Sequence, residues 1–191
     1  GYIGGGTPSS LTTPQLERLL EQIEKRFDPF EEFTVEAGRP DTLDAQKLRM
    51  LRNHPVTRIS INPQTMNDKT LARIGRAHTA KQTVEAYELA RSIGFDDINM
   101  DVIAALPGED YAMFAHTLEE IQQLRPESLT VHTLAIKRSS RLHEEKYAQR
   151  EQDVARMVAL GRQMAHEMGM RAYYLYRQKY MAENLENVGY A

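Results

Sequence analysis

Residues 98–108 read INMDVIAALPG, and this stretch decides the fold class. The run is apolar nearly throughout, which is typical of a strand buried on both faces of a parallel sheet. A segment with helical periodicity precedes it and ends at Gly94, and Phe114, Leu118 and Ile121 mark a second helix after it. A buried strand between two amphipathic helices is the repeating unit of a parallel α/β fold.

The same alternation extends in both directions along the chain. Short β-type runs at residues 33–38, 56–62, 128–136 and 171–176 are separated by segments with helical periodicity. With the run at the start of the chain, the order is β-α-β-α-β-α-α-β-α-β-α-β. This order predicts a parallel sheet with right-handed crossovers, either an open doubly wound sheet or part of a (β/α) barrel. Periodicity alone does not choose between these two folds.

Composition excludes several classes of protein. The chain has 191 residues, enough for one core and too few for two large domains. Its net charge of −3, with scattered basic residues, argues against a nucleic-acid partner, and no apolar run reaches the ~20 residues of a membrane span. The absence of cysteine excludes thiolate metal sites within these residues, and the six histidines show no metal-ligand spacing. We therefore assign no metal ligand.

Polar residues gather where the predicted strands end, which is where parallel α/β folds bind ligands. The group comprises Gly4, Gly5, Gly6, Thr7, Glu36, Ser60, Asn62, Gln64, Asn99, Asp101 and His132. A carboxylate such as Asp101 inside a buried strand is costly unless it is paired, although a structural aspartate bonded to the backbone is the alternative. Several such residues together indicate a pocket.

The glycine turn gives a weaker signal by itself. GGGTP is neither a dinucleotide-binding fingerprint nor a P-loop. Three glycines allow close backbone approach to an amino-acid-like or phosphate group, whereas the alternative is a tight turn into the helix that begins at Pro14.

A family resemblance rests on five stretches in this order and spacing: GYIGGGTPSSL (1–11), VEAGRPDTL (35–43), RISINPQTMNDKTLARIGRAHT (58–79), INMDVIAALPGED (98–110) and LTVHTLAIK (129–137). They resemble the oxygen-independent coproporphyrinogen III oxidase group of the radical S-adenosylmethionine (SAM) enzymes. The tail at residues 173–191 is similar to the coproporphyrinogen dehydrogenase (HemZ-type) branch of that group.

The resemblance implies an incomplete parallel (β/α) TIM-type barrel. In this family the glycine turn follows the second barrel strand, and a C-x-x-x-C-x-x-C loop comes before it. We therefore expect a fragment that lacks the first strand and the ligands of the [4Fe–4S] cluster, and that is inactive alone. Residues 1–171 are expected to form the partial radical SAM core, and residues 172–191 the start of a C-terminal family-specific segment.

The resemblance also implies which residues bind SAM, and it assigns no catalytic residue. Gly4, Gly5, Gly6 and Thr7 would bind the methionyl amino end through backbone groups. Glu36 and Gln64 would contact the methionyl or ribose part. Arg76 would pair with the SAM carboxylate, since a guanidinium fork suits that geometry. The remaining positions are Asp101 as a SAM contact and, lining the adenosine pocket, Ile103 and Thr133. Asn62-Pro63 stands where the family has a glycine before Gln64.

The activity implied is a radical SAM oxidoreductase that decarboxylates propionate side chains of coproporphyrinogen III in haem biosynthesis. A tetrapyrrole substrate, SAM, a [4Fe–4S] cluster in the full-length parent, an electron donor for that cluster and a cytoplasmic location go with it. Relatives with similar motifs carry haem, so a haem-binding or haem-delivering protein is the alternative. An unrelated (β/α) phosphate-binding barrel is a third reading, which the set of Glu36, Gln64, Arg76 and Asp101 disfavours.

Overall fold

The computed structural model describes residues 1–134, 151–176 and 187–191. Its elements alternate between strands and helices along most of that length. In chain order they are β1 (Tyr2–Ile3), a 3₁₀ turn (Pro8–Ser10), α1 (Thr13–Glu24), β2 (Thr34–Gly38), a second 3₁₀ turn (Pro40–Thr42), α2 (Ala45–Asn53), β3 (Arg58–Ile61), α3 (Asp68–Arg73), α4 (Ala80–Ile93), β4 (Ile98–Ala104), α5 (Tyr111–Leu124), β5 (Ser128–Thr133), α6 (Glu151–Glu167), β6 (Ala172–Tyr176) and β7 (Asn187–Tyr190).

The strands form one curled sheet in the order β1-β2-β3-β4-β5-β7-β6. Strands β1 to β5 pair in parallel, each with the next along the chain. The predicted parallel half barrel is thus confirmed for these five strands. Tyr2 on β1 and Tyr173 on β6 lie at opposite ends of the strand order, yet both line the same cavity, because the sheet curls around it.

The last two strands differ from the parallel prediction. Strand β7 pairs antiparallel with both β5 and β6, so the sheet is mixed. Only residues 177–186 connect β6 to β7, which is shorter than the crossover that parallel neighbours need. Residues 187–190 belong to the tail, where no strand was predicted, whereas they form a central strand between β5 and β6. The predicted extension of the fifth strand to residue 136 lies partly outside the described residues.

Helix starts follow capping chemistry. Thr12 is the N-cap of α1, in a capping box with Gln15, so this helix starts at Thr13, one residue before the expected Pro14. Asp44 caps α2 by accepting from Lys47 N. Thr79 caps α4, and Gly94 ends this helix in the left-handed conformation.

The two faces of the sheet have different chemistry because strand side chains alternate. The outer face of β2 to β5 is apolar and packs on the helices, with Val35, Ile59, Met100 and Val131 buried. The inner face carries polar side chains instead. On β4 the polar residues of this inner face are Asn99, which is buried, and Asp101, which is partly exposed. In the described part of the chain, no helix has both the length and the apolar character needed to cross a bilayer.

Candidate functional site

The inner face of the sheet encloses a cavity of about 440 Å³. Paired residues on neighbouring parallel strands point to the same face, and the pairs Glu36–Ser60, Ser60–Asn99 and Asp101–Thr130 all belong to this wall. The lining also includes Tyr2, Arg58, His132, Tyr173 and Tyr174. The cavity is therefore a polar lumen with an aromatic rim, which suits a ligand that has both polar and flat apolar parts.

Asp101 lies at the centre of this wall. Its Oδ1 accepts a hydrogen bond of 2.7 Å from Asn99 Nδ2, and its Oδ2 lies 3.5 Å from His132 Nε2. Asn99 in turn donates to Ser60 Oγ at 3.2 Å and accepts from Thr130 Oγ1 at 3.2 Å. The predicted buried carboxylate is thus held by neighbouring side chains, which is how such a group is tolerated.

An ion-pair cluster lies at the opposite end of the lumen. Arg58 Nε contacts Asp97 Oδ1 at 2.9 Å and its NH1 contacts Glu32 Oε2 at 3.2 Å. The ring of Tyr173 covers this guanidinium at 5.9 Å. Because Arg58 starts β3, this cluster lies at the amino ends of the strands.

The glycine turn meets Glu36 at the carboxyl end of β2. Gly5 N–H donates to Glu36 Oε2 at 3.1 Å, and the Tyr2 hydroxyl donates to the same oxygen at 3.3 Å. A Cβ on Gly4 would lie 2.7 Å from that oxygen, so a side chain at this position would displace the Glu36 carboxylate. Gly5 and Gly6 have φ of +81° and +67° with open space around them. The turn is therefore a backbone surface that faces outward beside a carboxylate.

A buried lysine forms hydrogen bonds to the segment that follows this turn. Lys47 is 7% exposed, and its ammonium group donates to the carbonyls of Ser9 and Thr42, the latter at 3.1 Å. The Ser9 hydroxyl also bonds the Ala37 carbonyl, at the end of β2. The glycine turn is thus fastened to β2 and α2. Lys47 was not predicted as a site residue, because a lysine on a helix is normally a surface residue.

Gln64 occupies a one-residue extension of the sheet. Its N–H donates to the Asp101 carbonyl at 3.0 Å, and its carbonyl accepts from Ile103 N at 2.9 Å. Its φ is +67°, a left-handed conformation that strains a residue with a Cβ. The side chain is buried, with 7% exposure. These bonds place the Gln64 backbone directly beside Asp101.

Arg76 follows α3 on the same rim. Burial and the positive charge of Arg39 lower the pKa of its guanidinium, while Asp41 and Glu36 raise it. Among the described residues no carboxylate forms an ion pair with it, since Asp41 pairs with Arg39 at 2.7 Å. Arg76 is therefore a half-buried cation with spare donors, close enough to sense the charge of Glu36.

The last two predicted residues, Ile103 and Thr133, lie on opposite faces of the sheet. Ile103 pairs with His132 on the lumen wall, in the row of Asp101. Thr133 pairs with Ala104 and falls on the outer, helix-covered face, where it is 4% exposed. The expectation that Thr133 lines the pocket with Ile103 is not supported, because one step along a strand reverses the face. Thr130 and His132 occupy the lumen positions on β5 instead.

The arrangement suits the head of an amino acid. Glu36 and the exposed glycine backbone can receive an ammonium group, and Arg76 can pair with a carboxylate. Among the described residues no group of histidines and carboxylates has the geometry of a metal site, and the sequence holds no cysteine. These residues therefore fit an amino-acid-containing ligand and do not fit an iron–sulfur cluster.

Comparison with known proteins gives a family match. The model of the radical SAM superfamily matches residues 2–121. The oxygen-independent coproporphyrinogen-III oxidase-like protein HemZ of Bacillus subtilis (strain 168) is 47% identical over 197 residues, covering 100% of this chain and 39% of HemZ. The heme chaperone HemW of the same strain is 38% identical over 138 residues, covering 71% of this chain and 36% of HemW.

A solved structure agrees with the fold. Coproporphyrinogen III oxidase (HemN) from Escherichia coli, described as a radical SAM enzyme, matches with a TM-score of 0.79 and 24% identity, over 89% of this chain and 40% of HemN. At this identity the likeness shows the fold. The chain spans less than two fifths of the length of the HemZ and HemW relatives.

Proposed function

This chain belongs to the radical SAM superfamily, whose members use SAM and a [4Fe–4S] cluster, and we propose that it supplies the SAM-binding half barrel of a coproporphyrinogen III oxidase-like enzyme. The observation that carries the proposal is the pairing of Glu36 with the glycine turn on one side and, on the other, Arg76, which has no ion-pair partner among the described residues. SAM has a methionine head with an ammonium and a carboxylate, and these two groups match that pair of charges.

Each residue then has a binding role. Gly5 and Gly6 offer backbone groups to the methionyl end, and Glu36 accepts from its ammonium. Arg76 pairs with its carboxylate, and Gln64 contributes the buried polar contact between them. Asp101 and Ile103 are proposed to face the ribose and adenine, because both lie on the lumen wall beside Gln64.

The cluster has to be held by residues outside this sequence. The 191 residues contain no cysteine, and three thiolates are what such a cluster requires when SAM takes its open iron. When bound, SAM and the cluster supply the one-electron chemistry for oxidative decarboxylation of propionate side chains. The part of the chain described above contributes binding, orientation and a lumen with the Arg58 cluster at one end. We propose that the 191 residues are inactive without those ligands.

The remaining parts of the proposal concern partners. The substrate is a tetrapyrrole with propionate side chains, an electron donor reduces the cluster, and the protein acts in the cytoplasm. The test is turnover by the cluster-loaded protein that contains this chain, with SAM, a reductant and coproporphyrinogen III. Mass spectrometry should show loss of one carbon dioxide and two hydrogens per propionate. If no such product forms in the presence of SAM, the proposed oxidase activity is rejected.

A haem carrier is the second candidate, favoured by the 38% identity to the heme chaperone HemW. Both candidates share the SAM site, so SAM binding does not separate them. Haem titration does: a stoichiometric Soret shift without decarboxylation would favour the carrier, and decarboxylation without stable haem binding would favour the oxidase.

A further inference from the structure

His78 is the buried titratable group that the proposed SAM contacts leave unused. It lies two residues after Arg76, in the stretch GRAHT at residues 75–79, and its side chain has 0% exposure. Burial of an imidazole without hydrogen bonds is costly, so a fully buried histidine next to a proposed ligand contact is expected to have a specific hydrogen-bond partner.

Its Nε2 atom lies 3.2 Å from the Pro63 carbonyl oxygen. A carbonyl can only accept, so Nε2 carries the proton and donates. Pro63 is the residue that leads into Gln64, whose φ of +67° is strained. The bond therefore reaches across from the Arg76 segment and restrains the peptide that sets the conformation of Gln64.

The other ring nitrogen, Nδ1, has no hydrogen bond to the part of the chain that the structure describes. Nδ1 is buried without a partner in the described residues, and the nearest carboxylate atom, Asp41 Oδ1, is 3.9 Å away. Arg39 already binds both oxygens of Asp41, at 3.1 and 2.7 Å. The charged groups that face the ring are Asp41, Arg39 and Arg76, and burial is the largest influence, which lowers the pKa of His78. The ring is therefore neutral near pH 7, and its Nδ1 carries no proton.

We propose that His78 is a positioning residue of the SAM site: as a neutral imidazole protonated at Nε2, it ties the Pro63–Gln64 turn to the segment that carries Arg76. The two proposed contacts to SAM are thereby held as one unit at a fixed separation. This inference rests on the proposed function, since it gives Gln64 and Arg76 a shared ligand.

The binding test compares three variants of the cluster-loaded protein that contains this chain, with SAM as the titrant in calorimetry. His78→Phe removes the donor and should weaken SAM binding about tenfold. His78→Gln places an amide N–H near the position of Nε2 and should stay within about threefold of the unchanged protein. The exposed residue His166 supplies the matched control, and His166→Phe should leave SAM affinity unchanged.

Equal SAM affinity for His78→Phe and the unchanged protein would overturn the inference. The same would follow if His78→Gln were as weak as His78→Phe, because the donor would not be what matters. Arg76→Ala separates this failure from failure of the proposed function. If Arg76→Ala weakens SAM binding and His78→Phe does not, only the role of His78 is lost. If neither does, the SAM site itself is wrong.

A second measurement needs neither SAM nor a variant. The side-chain ¹⁵N spectrum of His78 at pH 7 in the SAM-free protein should show a protonated Nε2 and an unprotonated Nδ1. This pattern should persist as the pH falls below the ordinary histidine value of about 6.5. An Nδ1-protonated tautomer or an imidazolium at pH 7 would overturn the inference, and this readout decides alone if His78→Phe does not fold.

Discussion

Removal of the Arg76 side chain should weaken SAM binding without weakening the fold. Burial and the positive charge of Arg39 both disfavour the charged form of Arg76. Within the described residues Arg76 has no ion-pair partner that the substitution would remove. Arg76→Ala should therefore leave the melting temperature of the SAM-free protein unchanged or higher. Most substitutions of half-buried residues destabilise a protein, so this sign is diagnostic.

The loss in binding follows from the bond that Arg76 is proposed to make. A hydrogen bond to a charged group contributes about 1.5–3 kcal/mol, which corresponds to roughly ten- to a hundredfold in affinity. At a SAM concentration of about 100 times Kd, ligand binding stabilises the unchanged protein by about 2.7 kcal/mol. At the same concentration the variant would gain about 1.4 kcal/mol for a tenfold loss and about 0.4 kcal/mol for a hundredfold loss.

Thermal melts with and without SAM, together with calorimetric titration, measure both effects on the cluster-loaded protein. Arg49→Ala is the matched control, because Arg49 is an exposed arginine on α2. The reasoning is refuted if Arg76→Ala binds SAM as tightly as Arg49→Ala. It is also refuted if Arg76→Ala lowers the melting temperature of the SAM-free protein, since the side chain would then have a structural partner.

Three further predictions concern the scaffold around the site. Burial raises the pKa of Glu109, whose Oε1 accepts from Thr65 and Asn67. A carboxyl with a raised folded-state pKa contributes its full stabilisation below about pH 4.5, and this contribution is lost as the pH rises through the folded-state pKa. Glu109→Gln cannot ionise, so its advantage in melting temperature should grow from about pH 5 to pH 8, and a constant difference would contradict this. Lys47→Met leaves two buried carbonyls without their donor and should lower the free energy of unfolding by about 2–4 kcal/mol in urea titration, whereas exposed Lys69→Met should change it by less than about 0.5 kcal/mol. A Cβ on Gly161 would lie 2.9 Å from Val131 Cγ2, so Gly161→Ala should lower the free energy of unfolding by about 1–3 kcal/mol, although alanine has the better helix propensity. Adding Val131→Ala in the same chain should recover part of that loss, and additive effects of the two substitutions would contradict the clash.

The sequence predicted the strands and helices that carry strong periodicity. Strands β2 to β5 and helix α4 were found near their actual bounds because apolar spacing and capping residues mark them. Strand β7 was missed, since residues 187–190 read NVGY and hold one asparagine and one glycine, which are poor strand formers. Its position depends in part on pairing with β5, which is remote in sequence, and its pairing with β6 is antiparallel.

The site was predicted in part for a related reason. Residues at strand ends, such as Glu36 and Asp101, could be grouped because parallel strands end at one edge. Arg58 lies at a strand start, and its place in the lumen depends on the curl of the sheet. The left-handed Gln64 could not be read from the sequence, since no glycine marks it. Thr133 was assigned by resemblance, and its position one step past His132 puts it on the other face.

The most direct test of the central claim is a structure of the cluster-loaded protein that contains this chain, determined with SAM bound. The account predicts density for the methionine head between the glycine turn and Arg76, with its ammonium toward Glu36 and its carboxylate on the Arg76 guanidinium. SAM bound elsewhere, or a methionine head that touches neither Glu36 nor Arg76, would contradict it.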